Sequence, residues 1–337
     1  MLYAIITTIQ PPTSSVLRLA ERLTESQGKL IVAGDAKGPA HFAGPAGRPW
    51  PVTFLSLTEQ QASGFELAKV LPVKTYARKN IAYLQAIRAG ADSIYETDDD
   101  NAPLAGWQPR EEVVHNARQV AAHAGRWINV YRYFSRENIW PRGLPLDEIR
   151  QVVPQTSVTA VARPAPIQQG LVNGSPDVDA IWRLVMDREF QFEPADSIYL
   201  EPGNWCPFNT QSTWWWPAAY PLLYLPSYCS FRMCDIWKSF VAQRCLWAMG
   251  YGIAFHASEV VQERNPHDLM RDFRDEIPGY DKNREICQIL GGLDLKSGVD
   301  TAATNLLRCY EALVHAGILP EKELPLVKAW LADLAAS

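Results

Sequence analysis

Glu96 and the run Asp98, Asp99 and Asp100 form an acidic cluster whose side chains could bind a metal ion. A short predicted strand, residues 93–95, leads into this cluster after an apolar helical pattern. Carboxylates this close repel each other strongly unless a cation shares them. Oxygen-only ligands of this kind suit Mg²⁺ or Mn²⁺, usually with a phosphate completing the coordination shell. The alternative interpretation is a solvated acidic turn that caps the next helix, because short acidic runs are common in loops.

The elements that would position this cluster alternate between strand and helix. Residues 2–9 predict a buried strand, residues 14–27 an amphipathic helix capped by Ser14 or Ser15, and residues 29–33 a second strand. A strand–helix–strand unit with a short crossover is right-handed and begins a parallel sheet. In open α/β sheets ligands bind at the carboxyl ends of the strands, which is where the acidic cluster lies.

The remaining periodic segments continue this mixture of helices and strands. Predicted strands cover residues 52–57, 127–134, 157–163 and 251–256. Predicted helices cover residues 58–65, 80–91, 110–124, 180–190, 235–249, 282–292, 299–316 and 320–335.

Composition excludes several classes of protein. The chain has 337 residues, of which 47% are hydrophobic and 20% charged, as in ordinary globular proteins. Its net charge of -5 argues against nucleic-acid binding. The six cysteines contain no Cys-x-x-Cys pair, which favours reduced thiols in a cytoplasm. Because no apolar run approaches the ~18 residues of a membrane span, and the first residues lack the basic flank of a signal peptide, we expect a soluble or at most peripheral protein.

Two strand–helix–strand units that lead to an acidic cluster near residue 100 are similar to the nucleotide-sugar half of GT-A glycosyltransferases. More narrowly, the chain resembles the STELLO family of glycosyltransferase-like proteins over about residues 1–265. Each matching segment is short, but their order and spacing together make the resemblance specific. The segments are residues 78–80, 98–101, 129–131, 139–146, 167–171, 176–180, 207–213 and 234–237.

The resemblance implies an α/β protein with a GT-A-type mixed, mostly parallel sheet flanked by helices. Residues 1–101 would form a Rossmann-like nucleotide-sugar half and residues 102–265 a donor-sugar and acceptor half. Residues 266–337 would add a C-terminal helical appendage, in which no motif is evident.

The implied activity is metal-dependent transfer of a sugar from a nucleotide-diphosphate donor to a glycan or lipid-linked acceptor, with inversion, in bacterial surface polysaccharide synthesis. We expect a cytoplasmic enzyme, or one peripheral at the inner face of the membrane. One alternative is a non-catalytic nucleotide-sugar-binding partner of a polysaccharide synthase. The other is a sugar-phosphate nucleotidyltransferase, although the glycine-rich first loop of such enzymes is missing after Ile9.

The resemblance also implies a metal site for Mn²⁺ or Mg²⁺. The GT-A pattern expects an aspartate two positions before the metal-binding aspartate, and Glu96 stands there, which makes Asp98 the ligand. In the alternative register Asp98 and Asp100 form the pair. His256 and His267 are further candidate ligands, although a lone histidine is more often structural.

The residues expected to bind the donor are more numerous than the candidate metal ligands. Arg78 and Lys79 would hold the diphosphate, while Asp35 and Asn80 would contact the nucleoside; Asp35 could instead cap a turn. Arg142 could clamp a phosphate or simply pack. The loop of residues 262–268 would close over the pyrophosphate. The full set of nucleotide- and donor-binding candidates is Thr7, Thr8, Asp35, Arg78, Lys79, Asn80, Glu96, Asp99, Gln169, Asp177 and Asp179.

The acceptor is expected to lie against the aromatic-rich residues 197–228, because sugar rings stack on aromatic side chains. Asn209, Gln211 and Trp214 are the candidate acceptor-binding residues, and a buried aromatic core is the alternative interpretation. Asp235, at the start of a predicted helix, is the candidate catalytic base. It could also serve only as a helix cap.

Overall fold

The computed structural model describes residues 1–158, 161–263 and 268–337. Its strands are β1 Leu2–Thr8, β2 Lys29–Gly34, β3 Val52–Leu55, β4 Ser93–Thr97, β5 Asn101–Pro103, β6 Val113–Val114, β7 Arg118–Val120, β8 Arg126–Trp127, β9 Ser157–Val158, β10 Arg163–Pro164, β11 Ile167–Gly174, β12 Ile198–Leu200, β13 Asn204–Trp205, β14 Ser212–Trp215 and β15 Ile253–Gln262. Its α-helices are α1 Ser14–Glu25, α2 Leu57–Gln61, α3 Glu66–Val70, α4 Lys79–Arg88, α5 Ala180–Met186, α6 Cys234–Met249, α7 Leu269–Gly291, α8 Ala302–His315 and α9 Glu323–Ala335. Short 3-10 helices occupy Tyr76–Arg78, Val130–Tyr133, Pro217–Leu223, Phe231–Met233 and Val299–Thr301.

One large mixed sheet forms the centre of the fold. Its strand order is β3-β2-β1-β4-β14-β11-β15-β12-β7-β9, with β5 beside β15. Strands β3, β2, β1 and β4 run parallel to one another, whereas β14 runs antiparallel to both β4 and β11. The predicted α/β class with a mixed sheet, flanking helices and C-terminal helices is confirmed.

The first half of the sheet forms because its strands are apolar on both faces. In β1 and β2 nearly every side chain is buried, as expected where helices cover a parallel sheet on both sides. Thr13, rather than Ser14 or Ser15, caps α1 by accepting a hydrogen bond from the backbone of Val16. This packing brings the carboxyl ends of β1, β2 and β4 to one edge of the sheet.

Several elements differ from the sequence-based predictions. The predicted helix over residues 110–124 contains the short strands β6 and β7, because β7 pairs with the distant β12 and that tertiary pairing outweighs helical periodicity. The predicted strand over residues 127–134 is reduced to β8 followed by a 3-10 turn. The predicted helix over residues 58–65 is replaced by α2 and α3. Thr159 and Ala160, inside the predicted strand over residues 157–163, lie outside the described residues.

The C-terminal helices pack directly onto the rest of the protein. Helix α7 begins at Leu269, well before the predicted residue 282, and buries Glu276 and Asn283 against neighbouring elements. Asp333 of α9 accepts hydrogen bonds from the first backbone N–H groups of α3, at 2.7 and 2.8 Å. Within the described ranges, no helix combines the length and apolar character needed to cross a membrane.

Candidate functional site

A cleft of about 770 Å³ opens at the edge of the sheet where β1, β2 and β4 end. One wall comes from these strand ends and the turns that follow them. The other wall comes from Gln211, the start of α6 and the first turns of α7. Its volume falls within the range of small-molecule sites in proteins, roughly 300–1,000 Å³.

Asp98 occupies the edge of this cleft next to a buried lysine. Its carboxylate accepts hydrogen bonds from the hydroxyl of Tyr76 and, at 3.1 Å, from Nζ of Lys79. The Lys79 side chain is fully buried and also donates to the carbonyl of Thr97 at 2.6 Å. Lys79 is therefore a structural cation beneath the cluster, while Asp98 keeps 23% of its side chain exposed to the cleft.

Asp99 and Asp100 also line the cleft, in an environment that disfavours their charge. Asp99 accepts a hydrogen bond from the hydroxyl of Thr8, and burial raises its pKa. Burial, reinforced by the neighbouring Asp98, raises the pKa of Asp100 to about 7. One oxygen of Asp100 accepts a hydrogen bond from the Gln262 amide at 3.0 Å, and the other is buried with no hydrogen-bond partner among the described residues.

A divalent cation fits this arrangement, because it would satisfy the unpartnered Asp100 oxygen and offset the repulsion between neighbouring carboxylates. Among the described residues, however, no three His, Cys, Asp or Glu side chains are grouped to hold a metal. A cation here would therefore complete its shell with ligand or water oxygens.

Glu96 does not face the cleft. Its carboxylate is fully buried and pairs with Nζ of Lys238 on α6 at 2.7 Å. The hydroxyl of Tyr83 and Nε1 of Trp215 donate to the same carboxylate. Burial lowers the pKa of Lys238, and Glu96 opposes that shift. Glu96 thus joins β4 to α6 inside the core.

Arg78 and Asn80 also point into the protein interior. The guanidinium of Arg78 donates to Oε1 of Gln60 at 2.8 Å and to the carbonyl of Leu71 at 3.1 Å. The side-chain amide of Asn80 exchanges two hydrogen bonds with the backbone of Leu225, at 2.8 and 2.9 Å. Neither residue lines the cleft, so their surroundings are those of structural residues.

Asp35 lines the cleft, but its carboxylate is occupied by backbone groups. It accepts hydrogen bonds from the N–H groups of Ala36, Lys74 and Thr75, at 2.6 to 2.9 Å. Lys74 has a φ of 59°, a left-handed conformation that is uncommon outside glycine. The hydrogen bonds to Asp35 therefore stabilise this unusual backbone conformation. Lys74 lines the cleft, as does Lys37.

Asp177, Arg142 and Asp235 form a buried row at the floor of the cleft. Arg142 makes two hydrogen bonds to Asp177, at 2.7 and 2.8 Å, and two to Asp235, at 2.8 and 2.9 Å. With these partners the guanidinium is not available to clamp a phosphate. Burial alone would raise the pKa of Asp235, but the Arg142 guanidinium outweighs it and holds the pKa below its ordinary value.

The other donor- and acceptor-binding candidates lie mostly behind the cleft. Gln169 and Asn209 exchange buried hydrogen bonds of 2.7 and 2.8 Å. Asp179 caps α5 and accepts a hydrogen bond from the Trp140 ring, and burial raises its pKa to about 6. Gln211 does line the cleft, together with Thr7 and Thr8.

Trp214 and His256 are buried away from the cleft lining. Trp214 packs against Tyr95 and Trp107, with its ring centroid 4.5 and 5.7 Å from theirs, as the core interpretation expects. His256 is held by Ser197 and Gln168, at 2.7 and 2.9 Å, and burial lowers its pKa well below the ordinary value. His267, and residues 264–267 of the expected closing loop, lie outside the described residues.

Sequence reasoning missed several residues that line the cleft, among them Lys37, Lys74, Phe231 and Arg271. Lys37 follows the carboxyl end of β2 by three residues, and that edge position is a signal that could have found it. No such signal marks Lys74 or Phe231, whose place depends on long-range packing.

Comparison with known proteins confirms the resemblance to the STELLO family. A family model described as STELLO glycosyltransferases matches residues 232–337, a range that includes only the last of the short motifs, residues 234–237. The chain is 28% identical to "Probable glycosyltransferase STELLO2" of Arabidopsis thaliana, over 83% of this chain and 39% of that protein. It is 27% identical to "Probable glycosyltransferase STELLO1" of the same plant, over 84% of this chain and 38% of that protein. The chain thus spans about two fifths of the length of these relatives.

The Glu96–Lys238 pair generates a stability prediction. We expect Lys238→Met to lower the free energy of unfolding by about 3–5 kcal/mol, because it leaves the Glu96 charge buried and unpaired. The double variant Glu96→Gln/Lys238→Met should recover most of that loss. Urea denaturation measures both, and Lys69→Met, at an exposed ion pair, is the matched control, expected to change stability by less than about 1 kcal/mol. A small effect of Lys238→Met would contradict the structural role of Glu96.

Proposed function

We propose that this chain, a homologue of the STELLO glycosyltransferases, binds a nucleotide-diphosphate sugar in the cleft and transfers the sugar to an acceptor hydroxyl. The observation that carries the proposal is the acidic cluster at the end of β4, where Asp100 has a buried oxygen beside the cleft with no hydrogen-bond partner in the described part of the chain. An anionic ligand next to these carboxylates needs a cation between them, and a diphosphate and a divalent metal meet that need together.

Asp98 and Asp100 would hold the metal, since both face the cleft while Glu96 is buried. When bound, a divalent metal neutralises the charge of the phosphates and of the leaving nucleotide. The Lys79 ammonium would keep Asp98 in place from below rather than contact the donor.

The phosphates would meet Lys37 and Lys74, two exposed lysines of the cleft wall. Neither forms an ion pair with any residue in the described part of the chain, so both ammonium groups are available to an anion. In this scheme Asp35 contributes by fixing the backbone of Lys74 and not by contacting the nucleoside.

Asp235 would accept the proton of the acceptor hydroxyl as that oxygen attacks the sugar and the diphosphate leaves, giving inversion. Arg142 keeps the Asp235 carboxylate ionised, which a base requires. It also lowers the pKa of Asp235, which makes the carboxylate a weaker base. The charge of Arg142 is shared with Asp177, so the three side chains together retain a net negative charge.

A second candidate function is a non-catalytic nucleotide-sugar-binding protein. It is favoured by one observation: both oxygens of Asp235 are hydrogen-bonded to Arg142, which reduces the carboxylate's freedom to accept a proton. Metal-dependent donor binding without turnover would favour this candidate over the transferase.

The metal role predicts that binding of nucleoside diphosphates depends on Mn²⁺ or Mg²⁺. In calorimetric titrations with UDP, GDP and ADP, we expect the binding of at least one to disappear in chelator. Asp98→Asn should weaken that binding at least tenfold, by about 1.4 kcal/mol or more. Asp196→Asn, at an exposed site outside the cleft lining, is the matched control and should leave it unchanged. Equal affinity with and without metal would remove the metal from the proposal.

The phosphate contacts give a separate prediction. Lys37→Ala and Lys74→Ala should each weaken the binding of inorganic pyrophosphate in the presence of Mn²⁺ by roughly tenfold, because a charge-assisted hydrogen bond contributes about 1.5 kcal/mol or more. Lys328→Ala removes an exposed lysine of α9 and serves as the control. If all three variants bind pyrophosphate alike, the lysines do not contact the phosphates.

For the base, we expect Asp235→Asn to lower turnover by roughly 10²–10⁴-fold while donor binding survives. Since the base must be deprotonated and Arg142 lowers its pKa, the acidic limb of the kcat/KM profile should lie below the ordinary carboxyl range. Asp177→Asn, which removes the charge of the other partner of Arg142, should lower turnover less than Asp235→Asn does. A product that retains the donor's anomeric configuration, or near-normal turnover of Asp235→Asn, would contradict the assignment.

A further inference from the structure

The side chain of Phe231 is unusual in being exposed. Its relative exposure is 60%, and no other Phe, Tyr or Trp within the described ranges is exposed. Burying a phenylalanine stabilises a protein by about 1.5–3 kcal/mol, so this ring does not contribute what it could to folding. An exposed aromatic ring inside a cleft is typical of a ligand-binding surface.

The backbone beneath this ring is held firmly against α7. On one side of Phe231, the Ser230 hydroxyl donates to the carbonyl of Asp275. On the other side, Arg232 forms an ion pair with the fully buried Glu276 at 2.8 Å. Met233 then packs so closely on Gly279 that a Cβ there would lie 2.2 Å from its sulfur. The exposed position of the ring is therefore imposed by its neighbours.

The ring faces the cleft beside the acidic cluster. Phe231 makes an edge contact with Tyr76, with ring centroids 5.9 Å apart and planes at 88°, and the Tyr76 hydroxyl donates to Asp98. Only one side chain thus separates the ring from the proposed metal-binding carboxylate. Arg271 and Asp275, on the first turns of α7, line the same cleft and are largely or partly exposed.

We infer that Phe231 is the stacking platform for a pyranose ring of the acceptor, with Arg271 and Asp275 as hydrogen-bonding groups for its hydroxyls. A pyranose presents an apolar C–H face surrounded by hydroxyls, which matches one aromatic ring bordered by charged groups. A lipid chain would need a continuous apolar surface, but apart from the Tyr76 ring and Cys234 the cleft wall around Phe231 is formed by charged side chains. The nucleotide would occupy the opposite wall, at the ends of β1 and β2.

This inference rests on the proposed function, because a saccharide acceptor is meaningful only if a donor binds next to it. It replaces the acceptor surface expected from the aromatic-rich residues 197–228, where Trp205, Trp214, Trp215 and Trp216 are all buried. Phe231 lines the cleft only four residues before Asp235. The proposed platform and the proposed base therefore belong to one short segment.

The test uses saturation-transfer NMR on the full chain with methyl glycosides of glucose, galactose and mannose. The spectra are recorded first in a buffer without Mn²⁺ and then with Mg²⁺ and the best-binding nucleoside diphosphate added. We expect at least one glycoside to bind the wild type. Phe231→Trp should retain this binding, whereas Phe231→Leu, which keeps apolar bulk without a ring, should weaken it roughly five- to tenfold. Phe273→Leu changes a half-buried phenylalanine of α7 outside the cleft lining and is the matched control.

Calorimetric binding of the nucleoside diphosphate to the same preparations separates the two proposals. If the wild type binds no nucleoside diphosphate, the proposed function itself fails. If it binds one, but Phe231→Leu binds glycosides as the wild type does, only the platform is overturned. The platform is likewise overturned if no glycoside binds the wild type, or if Phe231→Leu weakens nucleotide binding and leaves glycoside binding intact.

Discussion

Glu96 and Lys238 form an ion pair that is cut off from solvent and joins strand β4 to helix α6. Strand β4 carries the acidic cluster at its carboxyl end, and α6 carries Asp235 in its first turn. Because two opposite charges in the interior are stable only in close contact, the pair fixes how far these two groups stand apart. The two walls of the cleft therefore depend on one another through the core, and a change at this pair would reach both.

The same principle extends along the floor of the cleft. Beneath the cleft Lys79 pairs with Asp98, and Arg142 pairs with Asp177 and Asp235, just as Lys238 pairs with Glu96 in the core. Among the described residues, Asp99 and Asp100 have no buried cation of their own, and burial, reinforced by the neighbouring Asp98, raises their pKa values. Two charges 4 Å apart interact by about 4 kcal/mol at an effective dielectric constant of 20, so repulsion from these carboxylates would disfavour a diphosphate at this edge unless a cation compensated it. The charge balance, more than the identity of any one aspartate, is what supports a metal-bound anionic ligand.

The parts of the fold that the sequence predicts well are those with strong local signals. The units β1–α1–β2 and α4–β4 follow from uninterrupted apolar periodicity, and the edge rule for parallel strands then locates Asp35 and Asp98 at the cleft. Side-chain direction was not predictable in the same way. Glu96 and Asp98 are two residues apart, which in a continuous strand would put them on one face. Strand β4 ends at Thr97, however, and the following turn sends Asp98 to the cleft while Glu96 stays in the core. Arg78 likewise has the chemistry of a phosphate ligand, but its partner Gln60 lies on a different helix, and no local pattern reveals that contact.

The C-terminal region takes part in the site more directly than an appendage would. Glu276 of α7 accepts hydrogen bonds from Arg232, next to Phe231, and from the backbone of Ala180 at the start of α5. Asn283, two turns later, accepts from the ring of Trp237 and donates to the carbonyl of Gly143, beside Arg142. Helix α7 thus holds three segments that form or support the wall opposite the strand ends. The match of the STELLO family model to residues 232–337 is understandable on this basis, because that stretch contains both Asp235 and the helix that keeps its surroundings in place.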